Sequence, residues 1–172
     1  AMVGHFNTQA LEIESGIPTA MDGLDVAQDG DRVVVFDAAG MKVLNAATEE
    51  LADAGQRTPG GSVELAGGRY LIVNGDGKAW TGSADAVGTW DAGRKPDLKA
   101  SKGAPVAIGS DGTVAALNAD ESKVTVVDSG GERRQVSFQK IAGDAADLQL
   151  ALVGTTPVVL DPTAALLYWP DA

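Results

Sequence analysis

The sequence predicts an all-β chain, a β-propeller or partial propeller of about four blade-like repeats of short antiparallel strands. Three observations carry this reading. Four apolar runs end in a short Asx side chain, at Asp37, Asn74, Asn118 and Asp161, spaced by 37, 44 and 43 residues. Tight-turn dipeptides recur around these runs, at Asp29-Gly30, Gly67-Gly68, Asp76-Gly77 and Asp111-Gly112. A two-residue primed turn needs positive φ, which Gly and Asx tolerate, so such dipeptides mark hairpins. Finally, 22 glycines and 7 prolines in 172 residues interrupt any long apolar stripe of period 3.6, which excludes a helical solenoid of similar repeat length.

The elements follow in order. Residues 3–7 form an apolar run ending at Asn7, and 10–14 alternate as its neighbour. The first full unit places strands at 24–27, 31–37 and 43–45, the second at 62–66, 68–74 and 79–81, and the third at 105–108, 112–118 and 124–128. Lys42, Lys78 and Lys123 open the third strand of each. The last unit has runs at 148–152, 156–161 and 165–169, without that lysine. Fourth strands are weaker: 89–91 and 135–138 are the candidates, and 49–54 reads equally as a helical turn or a strand. Asn7 lies 38 residues before Asn45, so the chain starts and ends at third strands. Residues 1–172 then form a single repeat region, with Ala1 a tag remnant and the whole an excised piece of a longer protein. Open blade ends leave unpaired edges. Closure on itself, a homodimer, or completion by downstream repeats would cover them.

Composition limits the partners. Thirteen Lys and Arg against 24 Asp and Glu give a net charge of -11, which argues against nucleic acid and anionic membrane surfaces. No apolar run reaches the length of a spanning helix, so no membrane insertion is expected. Without cysteine there is no disulfide, thiol nucleophile or zinc knuckle.

The residues that could carry chemistry each have a structural reading. His5 is the only histidine, and no Gly-x-Ser-x-Gly elbow accompanies it, so it reads as an edge-strand residue and not a triad base. The carboxylate pairs Asp29 and Asp31, Glu12 and Glu14, and Asp144 and Asp147 read as turn formers or solvated faces before they read as glycosidase acids. No cofactor is expected; calcium at the acidic turns is the alternative, although the EF-hand pattern is absent. Asp37, Asn74, Asn118 and Asp161 read as turn-locking residues, because an Asx side chain at a strand end bonds backbone two residues on. Trp80, Trp90 and Trp169 read as packing between blades, with stacking on a sugar ring as the alternative. Residues 91–102 hold Arg94, Lys95, Lys99 and Lys102, the one locally basic segment, read as a solvated connection or a docking patch for an acidic neighbour.

The order of Gly4-His-Phe-Asn-Thr-Gln9, Leu11-Glu-Ile-Glu14, Gly23-Leu-Asp-Val-Ala-Gln-Asp-Gly30 and Val33-Val-Val-Phe-Asp37 resembles the N-terminal β-propeller region of actinobacterial fibronectin type III domain-containing proteins. Ile108-Gly-Ser-Asp-Gly-Thr-Val114, Asp144-Ala-Ala-Asp-Leu-Gln149 and Val158-Val-Leu-Asp-Pro162 extend the resemblance over nearly the whole chain. It implies an exported or membrane-anchored parent with an extracellular or cell-surface location, and brings no catalytic motif. Lys42-Val-Leu-Asn-Ala-Ala-Thr48 is loosely similar to quinoprotein-type repeats, with Glu49 where their glycine stands. The expected function is a non-enzymatic repeat module serving as an interaction or display platform for a protein or surface polysaccharide. A carbohydrate-binding or carbohydrate-active propeller, with an acidic pocket and tryptophans, is the alternative.

Overall fold

The computed structural model describes residues 2–7, 9, 11–37, 40–45, 48–54 and 61–171, with 5–7 and 12–15 described by backbone alone. These residues form seventeen strands in five antiparallel sheets. The first sheet is the hairpin β1 (Met2–Asn7) and β2 (Glu12–Pro18). The second runs β3 (Asp25–Asp29), β4 (Arg32–Phe36), β5 (Met41–Asn45) and β6 (Glu50–Asp53) in sequence order. The third is β7 (Ser62–Ala66), β8 (Arg69–Val73), β9 (Lys78–Ser83) and β10 (Leu98–Lys99), and the fourth β11 (Val106–Ile108), β12 (Val114–Asn118), β13 (Lys123–Val127) and β14 (Arg133–Ser137). The fifth has three strands, β15 (Gln149–Val153), β16 (Thr156–Asp161) and β17 (Leu166–Tyr168). Strands of consecutive sheets pack face to face, β3 on β7, β7 and β8 on β11, and β11 and β12 on β15. This is the meander-per-blade architecture of a propeller.

Stacking explains why the second strands are continuously apolar. A strand between two neighbouring sheets buries both faces, so alternation with polar residues is lost. In β8, Tyr70 and Ile72 enter one core with Val34, Phe36, Met41, Val63, Trp80 and Trp90. Leu71, on the opposite face, enters the other, with Val114, Leu117, Val124, Val126 and Val159. All four residues from Val114 to Leu117 are inaccessible to solvent.

Turn stereochemistry sets the registers. Ala66 pairs with Arg69 across Gly67 and Gly68, both at positive φ (57° and 71°), a two-residue turn of primed type. The turn after β3 is centred one residue later than the dipeptide predicts, on Gly30 and Asp31, since Asp29 pairs with Arg32. The Asp111-Gly112 expectation changes more: Ile108 pairs with Val114 across a five-residue loop, in which the Gly109 N–H donates to the Thr113 carbonyl at 2.7 Å. A second turn family has four residues and a left-handed last position. Leu11, Glu49, Ser122 and Ala165, at φ from 50° to 56°, immediately precede β2, β6, β13 and β17, and Asn7, Asn45, Asn118 and Asp161 end the strands before them.

Fourth strands differ from expectation in one sheet. Of residues 49–54, Glu50–Asp53 form the strand β6, and of 135–138 the first three belong to β14, Phe138 forming an isolated bridge with Pro170. Residues 89–91 form no strand; Ala84–Thr89 is a 3-10 helix, and the fourth position falls to Leu98 and Lys99. The reason is burial of Trp90, which draws the chain into the core and delays its return to the sheet edge.

Candidate functional site

A cleft of about 680 Å³ lies between the third and fourth sheets, lined by Asp76, Lys78, Lys99, Ala100, Ser101, Lys102, Asn118 and Asp120. Its floor is fixed by backbone bonds. The Ala100 N–H donates to the Gly77 carbonyl at 2.9 Å, and the Ser101 N–H to the Leu117 carbonyl at 3.0 Å, tying the segment after β10 to both sheets. Gly77, at φ 75°, permits this approach: a Cβ there would lie 3.1 Å from the Ala100 oxygen and 3.2 Å from the Ser101 oxygen. The Ser101 hydroxyl donates to Asp120 Oδ2 at 3.3 Å across the cleft.

Lys78 and Lys99 are direct register partners in the β9–β10 pair. Side chains so placed share a face with Cβ atoms roughly 5 Å apart, and like charges there repel. Lys102 adds a third cation from the turn closed by the Ala104 N–H on the Ser101 carbonyl at 3.0 Å. The ion pairs of the described residues involve Arg32, Lys42, Arg94 and Lys123, and none of these three lysines. The basic segment of the sequence is thereby divided. Arg94 is spent internally, donating to the Thr81 carbonyl and the Asp97 carboxylate, while Lys99 and Lys102 reach the cleft.

A smaller cleft of about 380 Å³ lies between β4, β5 and the 3-10 helix, with Val33, Val43, Leu44 and Val87 among its walls. The Arg32 guanidinium closes its rim by donating to Asp85 at 2.6 Å, which holds the Asp85 carboxyl below the usual carboxylate range. Burial pushes up the pKa of the Tyr70 hydroxyl, on β8 of the third sheet. At the loop after β11, Asp111 accepts from the Thr113 N–H at 3.0 Å and hydroxyl at 2.9 Å, and the backbone bond holds its carboxyl low.

The four recurring Asx residues do not converge on a ligand site; each sits at its own turn. Asp37, buried, accepts the Asp22 N–H at 3.1 Å and the Gly40 N–H at 2.9 Å. Asn74 accepts the Asp76 and Lys78 N–H groups at 3.1 and 2.9 Å. Asp161 accepts those of Thr163 and Ala164 at 3.0 and 2.9 Å. Asn118 differs: its side chain makes no cap bond to the 3-10 turn Ala119–Glu121, and it lines the lysine cleft instead.

Of the tryptophans, Trp80 and Trp90 are 3% and 6% exposed and meet edge to face at 5.8 Å, so neither ring can stack on a ligand. The Trp80 indole donates to the Arg94 carbonyl at 2.8 Å, whereas the Trp90 Nε1 is buried without a hydrogen-bond partner. Trp169, at 55% exposed, is the one tryptophan open to solvent. Among the carboxylate pairs, Asp29 accepts the Gly68 N–H at 2.6 Å, Asp31 faces Arg32, and Asp144 caps its own turn through the Ala146 N–H. The side chains of His5, Glu12 and Glu14 lie outside the described residues. Among the described residues no three His, Cys, Asp or Glu side chains gather to hold a metal.

Sequence reasoning missed the Lys78–Lys99 juxtaposition, because the two residues of β10 carry no periodic signal and their pairing is set by a 14-residue excursion through Trp90. No protein-family model matches the chain, and a search of curated proteins finds no match. Solved structures do resemble it. Hsv2 of Kluyveromyces lactis superposes with a TM-score of 0.58 at 13% identity, over 92% of this chain and 52% of that one. Hsv2 of Kluyveromyces marxianus gives 0.60 at 14% identity, again over 92% and 52%. The dihydro-heme d1 dehydrogenase NirN gives 0.51 at 12% identity, over 98% and 41%. The chain thus spans about half the length of the Hsv2 chains it matches. At such identities the likeness speaks to fold alone, and together with the successive four-stranded meanders it makes this an all-β chain of β-propeller type.

Proposed function

We propose that this chain is a non-enzymatic β-propeller module that binds a partner at the lysine cleft and serves as an interaction or display platform. The carrying observation is the set of unpaired lysines, Lys78, Lys99 and Lys102, held by backbone bonds at the junction of two sheets in a protein of net charge -11. A like-charge pair is costly for folding alone. Retaining it in an acidic molecule fits a binding role, since a local cationic focus steers anionic groups. The fibronectin type III resemblance adds the setting, an exported or membrane-anchored parent at the cell surface. No helix among the described residues is long and apolar enough to cross a membrane.

The alternative of a sugar site built on a tryptophan platform is weakened by the burial of Trp80 and Trp90. A glycan and peptide array probed with the labelled chain and with the triple variant Lys78→Glu, Lys99→Glu, Lys102→Glu tests the reading. Ligands retained by the wild type and lost by the folded variant support it. Equal retention by both, or no retained ligand at all, overturns it.

A further inference from the structure

We infer that the lysine cleft takes a singly charged carboxylate on a hydroxyl-bearing ligand, the chemistry of a sugar acid. The inference rests on the binding role just proposed and names the ligand class. Charge balance within the cleft selects the anion. Three lysines, Lys78, Lys99 and Lys102, and two aspartates, Asp76 and Asp120, line the cleft, so the lining carries one excess positive charge. A carboxylate neutralises that excess. A phosphate monoester, at about -1.5 to -2 near neutral pH, overshoots it and meets the two aspartates. Lysine donors without a planar guanidinium suit a point-like anionic oxygen, with no bidentate fork required.

The rest of the lining suits hydroxyls. Asp76, Asp120, Ser101 and Asn118 supply acceptors around the cations, and a polyhydroxylated body donates to acceptors while its carboxylate takes the lysines. The arrangement is prepared in advance. Lys78 and Lys99 are held opposite each other by strand register, and Ala100 and Ser101 are locked by backbone bonds to Gly77 and Leu117. An anion between the two lysines relieves a repulsion that the fold otherwise sustains. The cleft, at about 680 Å³, falls within the range of small-ligand sites.

The test is a titration of the isotopically labelled chain followed by amide shifts, with D-glucuronate, D-glucose and inorganic phosphate as separate probes. Saturable shifts at Lys78, Lys99, Ser101 and Lys102 with glucuronate, and weaker binding of glucose and phosphate, are expected. Lys99→Gln should weaken glucuronate about tenfold, the scale of one charge-assisted hydrogen bond. Without ligand, the same variant should melt no lower than the wild type, because it removes one member of a repelling pair; a lower melting temperature would make the pair structural and overturn the inference. Phosphate or glucose binding at these residues as tightly as glucuronate overturns the ligand class while leaving the cleft as a binding site. No shift at the cleft with any probe overturns the ligand class too, and the array result with the triple variant then decides separately whether the binding role stands.

Discussion

Replacing Gly67 with alanine probes the seam where the inner turns of consecutive sheets meet. Gly67 sits at φ 57°, and a Cβ built there would lie 2.2 Å from the Gly112 nitrogen and 2.4 Å from the Asp111 carbonyl carbon. Both neighbours are backbone, so no rotamer change relieves the overlap and one turn must move. The left-handed conformation costs an alanine about 1–2 kcal/mol, and overpacking of this kind adds about 1–3 kcal/mol. Loss of glycine's freedom in the unfolded chain returns about 0.4–1 kcal/mol. The net expectation is a destabilisation of about 1–4.6 kcal/mol, centred near 3, the sum of those terms. Gly68 is the internal control, because its φ is 71° but nothing lies within 4 Å of its Cβ position. Gly68→Ala carries the conformational cost without the clash and should lose about 0–1.6 kcal/mol, less than Gly67→Ala by the overpacking cost. Urea denaturation with matched slopes reads both. Equal midpoints for the two variants would refute the close approach of the second and third inner turns.

The remaining expectations concern turns, core, acid response and edge. Asp37→Ala leaves two N–H groups without their acceptor and should cost about 2 kcal/mol, whereas Asn118→Ala should stay within about 0.5 kcal/mol; comparable losses in denaturant midpoints would contradict the bonding described. Trp80→Phe forfeits the bond to the Arg94 carbonyl and Trp90→Phe deletes an unsatisfied donor, so the first should be the more damaging by about 1 kcal/mol in thermal melts; the reverse order would count against these assignments. Asp111 has a lower proton affinity folded than unfolded. Its contribution is therefore complete above the unfolded carboxylate range and lost as pH falls through the depressed native value; Asp111→Asn should flatten stability against pH in that acid window, and an unchanged slope would refute the role. Leu166 and Leu167 on β17 are 50% and 52% exposed, whereas the outer strands β6, β10 and β14 carry Glu50, Lys99 and Arg133. An apolar edge invites pairing, so light scattering should give a mass that rises with concentration and falls to the monomer in Leu167→Lys; a monomer at all concentrations would show that this edge is not used between copies.

Much of the architecture was legible because propeller strands repeat one local problem. Asx followed by a short turn, and glycine where φ is positive, marks strand ends whatever the neighbours are, which is why Gly67-Gly68 and the second strands fall where the pattern puts them. The site was far less legible. The basic segment 91–102 was visible as composition, but nothing local says that Arg94 turns inward to Asp97 while Lys99 pairs with Lys78. Likewise Trp80, Trp90 and Trp169 are equivalent on paper, and only packing separates two buried rings from one exposed ring.

Fold class, repeat spacing, most strand positions and net acidity follow from residue order alone, because these depend on periodicity, turn stereochemistry and charge count. Which lysines stand together, which tryptophans are lost to the core and how one turn seats on the next emerge only once the sheets are packed. Those outcomes depend on contacts between residues distant in sequence, such as Gly67 against Gly112 and Ser101 against Leu117, where the distance between the two groups sets the energy and no local pattern encodes it.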